Sequence, residues 1–94
     1  MKFSWDLNKA KSNLIKHKVS FEEAKSVFFD ENARLIEDPD HSQEEDRFIL
    51  IGMSAKFKIL TVVHCYREND EIIRIISARK ATKNEAKQYK EFLL

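Results

Sequence analysis

Residues 47–78 of this 94-residue chain, RFILIGMSAKFKILTVVHCYRENDEIIRIISA, contain its clearest indication of a β-sheet. They contain runs rich in Ile, Val and Phe, which indicate β-strands at residues 47–53, 57–66 and 71–78. The connectors at residues 54–56 and 67–70 are short and polar, which favours antiparallel hairpins in a meander. A further strand is predicted upstream, at residues 34–37.

Helix-capping patterns place two helices before this meander. Asp6 is a credible N-cap for a helix to about residue 18, with one apolar stripe formed by Leu7, Ala10, Leu14 and Ile15. Ser20 and Glu23 have the spacing of a capping box, which predicts a second helix to about residue 29. The side chains that this helix is expected to bury are Phe21, Ala24, Val27 and Phe28.

A closing helix follows the meander. Thr82 and Glu85 repeat the capping-box spacing and open a helix to about residue 92. The predicted order is therefore β-α-α-β-β-β-β-α, a single small α+β domain over residues 1–94 with a curved antiparallel sheet. In the last strand, apart from Arg74, the residues that point to either face of the sheet are apolar, so both faces are expected to be packed against other elements. Because only three short helices are available to cover the sheet, we expect an apolar surface that another chain covers. The alternative is that the helices cover both faces of the sheet fully.

Composition excludes several classes of protein. Hydrophobic residues make up 43% and charged residues 35%, as in a globular protein, while one Gly and one Pro leave no room for a Gly-rich phosphate loop. The single cysteine, Cys65, excludes an internal disulfide and a multi-cysteine metal site, and its apolar strand indicates a core position. Since no apolar run has the length of a membrane span or a signal peptide, we expect a cytoplasmic protein.

Charge is distributed in three blocks. Residues 1–29 hold six basic and three acidic residues, residues 30–46 hold one and eight, and residues 47–94 hold ten and five. Two basic portions therefore flank an acidic segment and are able to form one positive surface in the fold. The alternative is an acidic solvated loop, with lysines that only keep the helices soluble.

The histidines give no metal signal, and we expect no cofactor. His17, His41 and His64 fall on a helix end, a loop and a strand, without the ligand spacing of a single element. More informative is the segment RIISARK at residues 74–80. On a regular strand, Arg74 and Arg79 point to opposite faces, so they reach one site only if Arg79 lies beyond the end of the strand. Arginine suits phosphate because its planar fork donates two parallel hydrogen bonds.

Lysines on the closing helix extend this basic segment. Lys80, Lys83, Lys87 and Lys90 fall within about one-third of the helix circumference, beside the apolar stripe of Ala86, Tyr89 and Leu93. Such a stripe suits a phosphate backbone, although an ordinary solvated flank has the same pattern.

These residues together resemble one known family, the BrnT toxins of bacterial type II toxin–antitoxin systems. The resemblance covers nearly the whole chain and rests on FSWDLNK at residues 3–9, Asn13, Lys16-His17, VSFEEA at 19–24, DPDHS at 38–42, Glu44, Arg47, Ile51-Gly52, VVH at 62–64, IRIISARKAT at 73–82, Glu85 and Tyr89. One position departs from the family pattern: Lys18 stands where a small or turn-favouring residue is usual, so the first helix is expected to end differently.

The resemblance implies a RelE-like fold, a ribonuclease that stops translation, and inhibition by a small DNA-binding antitoxin, BrnA. RNA supplies its own 2′-hydroxyl nucleophile, so such cleavage needs no metal. On this basis Arg74 and Arg79 are expected to converge on the phosphate, assisted by Lys16 or Lys80, with Lys83 and Lys87 holding RNA. The candidates for proton transfer are His17, His64 and Tyr89. A non-catalytic module that binds nucleic acid or protein through the same surface, or a regulatory domain that needs only a protein partner, remains the alternative.

Overall fold

The computed structural model of the protein describes residues 1–38 and 46–93. Along the chain lie β1 (Lys2–Ser4), α1 (Leu7–His17), α2 (Phe21–Ser26), a 3₁₀ turn (Val27–Phe29), β2 (Arg34–Glu37), β3 (Phe48–Met53), β4 (Ile59–Arg67), β5 (Ile72–Lys80) and α3 (Lys83–Phe92). No helix in these two ranges has the length and apolar character needed to cross a membrane.

The strands of the described residues form one sheet in the order β1-β5-β4-β3-β2. β2 to β5 are antiparallel neighbours, and the pairings of β3 with β4 and of β4 with β5 are those that the short connectors predicted. β1, however, runs parallel to β5, with Phe3 opposite Ile73, so the sheet is mixed and the prediction of an antiparallel sheet was wrong on this strand. The two helices that follow β1 carry the chain away before the meander begins, which permits the parallel pairing.

The main core lies between the sheet and the pair α1–α2. Its buried apolar residues are Val19, Phe21, Ala24, Val27, Leu50, Leu60, Val62, Ile75 and Ala78. On the opposite face α3 covers the sheet, where Thr61 donates a hydrogen bond to Glu85 at 3.1 Å. Both faces of the sheet are thus packed against helices, although α3 is only ten residues long and covers its face in part.

Helix α1 leaves most of its apolar stripe exposed, although an apolar stripe ordinarily marks a buried face. Leu7 and Ile15 are more than 70% exposed and Leu14 is about half exposed. The buried member of α1 is instead Asn13, whose side chain donates to the carbonyls of Ala78 and Val19 and accepts from the Ala78 N–H. An amide that pairs with the edge of β5 therefore fixes α1 in place.

The predicted caps hold to different degrees. Asp6 caps α1, and Thr82 and Glu85 form both halves of a capping box. At α2 only one half forms: Ser20 Oγ accepts from the Glu23 N–H, whereas Glu23 turns inward and accepts from Ser54. Lys18 is the C-cap of α1 and adopts the left-handed conformation, at φ 60°, that usually favours glycine. The helix therefore ends at His17 although the capping residue is a lysine.

Candidate functional site

A β-bulge in β5 decides where the two arginines lie. Arg79 pairs with Thr61 and Arg74 pairs with Cys65, and these two β4 residues are four positions apart. Ile76 is the extra residue, because Ser77 pairs with Val63 and Ile75 pairs with His64. Directly opposed residues share a sheet face, so the bulge cancels the parity difference and puts both arginines on one face.

This arrangement corrects two expectations. Arg79 lies inside β5 and not beyond its end. The backbones of Arg74 and Arg79 are separated by four positions of β4, about 13 Å at about 3.3 Å per residue. The two arginines share a face, but the guanidinium of Arg74 contacts Ser4 on β1 and that of Arg79 contacts Glu85 on α3, so the structure does not bring them together at one point. Ser77 lies between them on the same face.

Arg79 is held by a carboxylate. Its Nη1 donates to Glu85 Oε1 at 2.7 Å and its Nη2 donates to Glu85 Oε2 at 3.0 Å. Glu85 also accepts from the Thr82 N–H and from Thr61, so one carboxylate joins α3, β4 and β5. Hydrogen bonds from Arg79 lower the pKa of Glu85 to about 2, although burial opposes the shift. The Arg79 side chain remains 39% exposed.

Arg74 lies toward the other end of the same face. Its Nη1 donates to Ser4 Oγ on the adjacent strand β1 at 3.4 Å. Its positive charge also contributes to lowering the pKa of Asp6, after the hydrogen bond from Lys9 that is the larger cause. Arg74 is half-buried and keeps its charge near the start of α1.

A polar groove of about 320 Å³ lies between α1 and the bulge of β5. Its lining residues are Asn8, Lys9, Ser12, Asn13, Lys16, His17, Ile76 and Ser77. The structure thus brings the predicted residues Lys16 and His17 into one groove with Ser77, which lies between Arg74 and Arg79 along β5. The groove has an imidazole, two ammonium groups and hydroxyls, a set suited to an anionic ligand.

His64 does not belong to this surface. It is fully buried and pairs with Ile75, on the sheet face opposite the arginines. Its ring packs against Phe28 and Phe48, and its Nε2 lies 3.3 Å from Tyr66 Oη. Burial lowers the pKa of His64, which favours the neutral ring. The expectation that His64 transfers a proton to or from a ligand is therefore wrong in this fold.

Tyr89 is also taken up by the core. It is 3% exposed and its hydroxyl donates to Asp30 Oδ2 at 2.6 Å. Burial, and then this hydrogen bond, raise the pKa of Tyr89 to about 12. Asp30 in turn accepts from the Met53 N–H, so the pair fixes α3 to the end of β3. Tyr89 is thus a packing residue and not an accessible acid.

The remaining predicted residues lie on or near α3. Lys83, Lys87 and Lys90 line one shallow surface depression beside Ala86 and Glu91. Lys80 is exposed at the end of β5. His41 and most of the DPDHS motif lie outside the described residues. Within the residues that are described, no cluster of three or more His, Cys, Asp or Glu side chains has metal-binding geometry.

Sequence reasoning missed two features of the structure. Ser77 and Lys9 line the groove, yet only the bulge and the docking of α1 bring them there. Phe57 was predicted to lie in a strand, but β4 starts at Ile59 and the Phe57 side chain is 88% exposed in the preceding turn. The connector was predicted at residues 54–56, and the absence of Gly and Asn from residues 54–58 concealed that the turn extends to Lys58.

Comparisons with known proteins decide the family. Residues 5–85 match the family model described as the ribonuclease toxin BrnT of type II toxin–antitoxin systems. This chain belongs to the BrnT family. A crystal structure of the Brucella abortus ribonuclease toxin BrnT is similar to it, with a TM-score of 0.67 and 25% sequence identity over 88% of this chain and 99% of that one. A comparison with curated proteins finds no match.

The BrnT match includes the elements that form the groove and the arginine face. Residues 5–85 contain all of α1 and β5, together with Glu85, and end before Tyr89. The family is one of ribonucleases and toxins, which implies an RNA target and an antitoxin partner for its members.

Proposed function

We propose that this BrnT-family chain is a cytoplasmic endoribonuclease that stops translation, and that it cleaves RNA at the groove between α1 and β5. The observation that carries the proposal is the bulge at Ile76, because it puts two arginines of a ribonuclease-family chain on one sheet face and lies, with Ser77, in the lining of the polar groove beside α1. An RNA strand that crosses β5 would pass Arg79, then the groove at Ser77, then Arg74. Each arginine would contact a different phosphate of the strand.

The chemistry of such a site needs no cofactor. The 2′-hydroxyl of RNA attacks the adjacent phosphorus, and the bond from phosphorus to the 5′-oxygen breaks. One group removes the 2′ proton and another donates a proton to the leaving oxygen. His17 is the predicted proton-transfer residue that remains accessible at the groove, and Lys16 and Lys9 beside it supply positive charge for the developing phosphorane.

Glu85 would serve this site as a positioning residue. It holds both Nη atoms of Arg79 and so fixes the plane of the guanidinium against the sheet. Since more than a third of the Arg79 side chain stays exposed, a phosphate oxygen has access without opening the ion pair. Lys80, Lys83 and Lys87 would attract the strand on the α3 side of Arg79.

A BrnA-like antitoxin is the proposed inhibitor, with DNA binding supplied by that partner. The exposed apolar residues of α1 support a protein partner. Leu7 and Leu14 line a groove of about 360 Å³ between α1 and α2, together with Trp5 and Phe21. Lys16 and His17 lie outside this groove on the same helix, and a partner that extends from the groove around α1 would cover them.

Purified protein acting on single-stranded RNA tests the proposal. In EDTA, the wild-type chain should cleave the RNA, and His17→Gln and Arg79→Ala should each reduce the rate by at least 100-fold. Arg34→Ala is the matched control, because Arg34 lies on β2 at the opposite edge of the sheet. Cleavage that requires added metal, or an unchanged rate in both variants, contradicts the mechanism. Salt-sensitive binding without cleavage favours the non-catalytic module instead.

A further inference from the structure

The turn between β3 and β4 has an unusual residue at its most constrained position. Ser54 N–H donates to the Lys58 carbonyl and Phe57 N–H donates to the Ser54 carbonyl, which closes a three-residue loop. Phe57 has a φ of 62°, the left-handed conformation that such loops normally give to glycine. A bulky side chain is disfavoured there, so the turn holds a phenyl ring at a conformational cost.

This turn is rigidly anchored. Ser54 is buried, and its hydroxyl donates to Glu23 Oε2 at 2.7 Å while it accepts from the Lys56 and Lys58 N–H groups. Ala55 N–H donates to Ser26 Oγ at the end of α2. The loop is thus fixed to α2 by side chains, and the ring that it presents is 88% exposed.

The ring is surrounded by basic positions. Lys56 and Lys58 flank it in sequence and both are exposed. The turn also lies at the end of the sheet where β5 finishes, because Lys80 pairs with Leu60 and the Ala81 N–H donates to the Ile59 carbonyl. The proposed RNA-binding residues Lys80 and Lys83 therefore lie at the same end of the molecule as Phe57.

We propose that Phe57 is a stacking platform for one unpaired base of the RNA, with Lys56 and Lys58 contacting the flanking phosphates. The proposal rests on the proposed RNA substrate and adds a binding site beyond the groove. Exposed aromatic rings bordered by cations are the features with which proteins hold single strands, because every base has a face that stacks. Because the backbone of the turn is already fixed, little backbone entropy is lost when a base stacks on the ring.

Binding of a 2′-O-methyl oligoadenylate, which has no free 2′-hydroxyl and is not cleaved, tests the platform. Fluorescence anisotropy should show Phe57→Ala binding this strand about tenfold more weakly than wild type, the effect of one lost base–aromatic stack. Phe57→Tyr should bind as wild type does. Phe92→Ala is the matched control, since Phe92 is a 62% exposed aromatic at the end of α3. An abasic strand of the same length should bind Phe57→Ala and wild type equally.

The outcomes separate this platform from the proposed nuclease. Equal weakening on the abasic and the normal strand, or none on either, overturns stacking. If RNA binding is unchanged but Phe57→Ala weakens binding of the antitoxin, the ring docks a protein and the proposal is wrong. If wild-type protein cleaves RNA and Phe57→Ala has an unchanged KM, the platform alone fails. If wild type neither binds nor cleaves RNA, the proposed function fails and the platform with it.

Discussion

Tyr89 and His64 illustrate how side chains suited to proton transfer are used here for packing. Both types are common at catalytic sites, and both were candidates from the sequence. The buried Tyr89 hydroxyl, however, donates a hydrogen bond to Asp30, and His64 packs among aromatic rings on the sheet face opposite the arginines. His17, at the end of α1, is left as the candidate beside the groove. All three residues were candidates because of their chemical type, and burial separates Tyr89 and His64 from His17.

Replacement of Tyr89 by Phe should affect stability and not catalysis. The variant loses the hydrogen bond to Asp30, so we expect the free energy of unfolding to fall by about 1–2 kcal/mol. A raised tyrosine pKa stabilises the fold while the hydroxyl stays protonated. This stability is complete below pH 10 and is lost as pH rises toward 12. Urea unfolding at pH 8 and pH 11 should therefore show a smaller difference between the two proteins at pH 11. A loss of cleavage rate in a folded Tyr89→Phe protein would contradict this role.

Phe57 gives the opposite prediction for stability. Phe57→Gly should increase the free energy of unfolding by about 1 kcal/mol, because a left-handed non-glycine residue costs about 1–2 kcal/mol and glycine's greater unfolded-state entropy offsets part of the gain. Chemical denaturation measures the difference. Phe57→Ala is the control, since alanine keeps the left-handed cost and should show no such gain. If both variants are equally destabilised, the ring is held by contacts rather than presented under strain.

At the scale of elements, α3 depends on the contacts of Glu85. This carboxylate caps the helix, bonds Thr61 on β4 and pairs with Arg79 on β5. A helix of ten residues has little stability of its own, so these contacts and the burial of Tyr89 must hold it. The same contacts orient Arg79, which links the stability of α3 to the geometry of the proposed site.

The pH dependence of stability should report on Glu85. Its pKa is lowered from 4.5 to about 2, so its contribution to stability is present above pH 4.5 and is lost as pH falls toward 2. Glu85→Gln should lower the free energy of unfolding by about 1–2 kcal/mol at pH 7, and the difference should vanish near pH 2. Glu91→Gln is the control, because Glu91 forms only an exposed pair with Lys87 at 3.9 Å. A difference that persists unchanged to pH 2 would exclude the carboxylate charge as the cause.

The elements also show what the sequence predicts well. Caps depend on a few adjacent residues, so Asp6 and the Thr82–Glu85 box were found, and β2 has its predicted bounds. The bulge at Ile76 was not predictable, because it depends on how β4 and β5 register against each other. The inward turn of Glu23 depends on Ser54, 31 residues away, and the exposure of the α1 stripe depends on Asn13 docking to β5. Local chemistry was predictable, whereas long-range partners were not.

At the scale of the whole molecule, the order of strands places the basic surfaces. β5 lies near one edge, between β1 and β4, so its arginine face, the groove with α1 and the start of α3 are neighbours. Residues 47–94 hold ten basic and five acidic residues, and the acidic excess lies in residues 30–46. Where α1 packs against β5, the first basic block contributes Lys9, Lys16 and His17 to the groove, and the second block contributes Ile76 and Ser77.

Salt dependence of RNA binding should reveal which lysines contact phosphates. For a single strand, the slope of log affinity against log salt falls by about 0.7 for each phosphate contact removed. The double variant Lys83→Gln/Lys87→Gln should therefore reduce the slope by about 1.4 on the 2′-O-methyl strand. The control is the double variant Lys2→Gln/Lys11→Gln, which removes the same amount of charge elsewhere. Lys2 lies on β1, and Lys11 lines the groove between α1 and α2 that the antitoxin is proposed to cover. The two double variants should differ, because only lysines that contact phosphates change the slope. If both lower the slope equally, RNA binding responds to the net charge of the protein and not to the α3 surface.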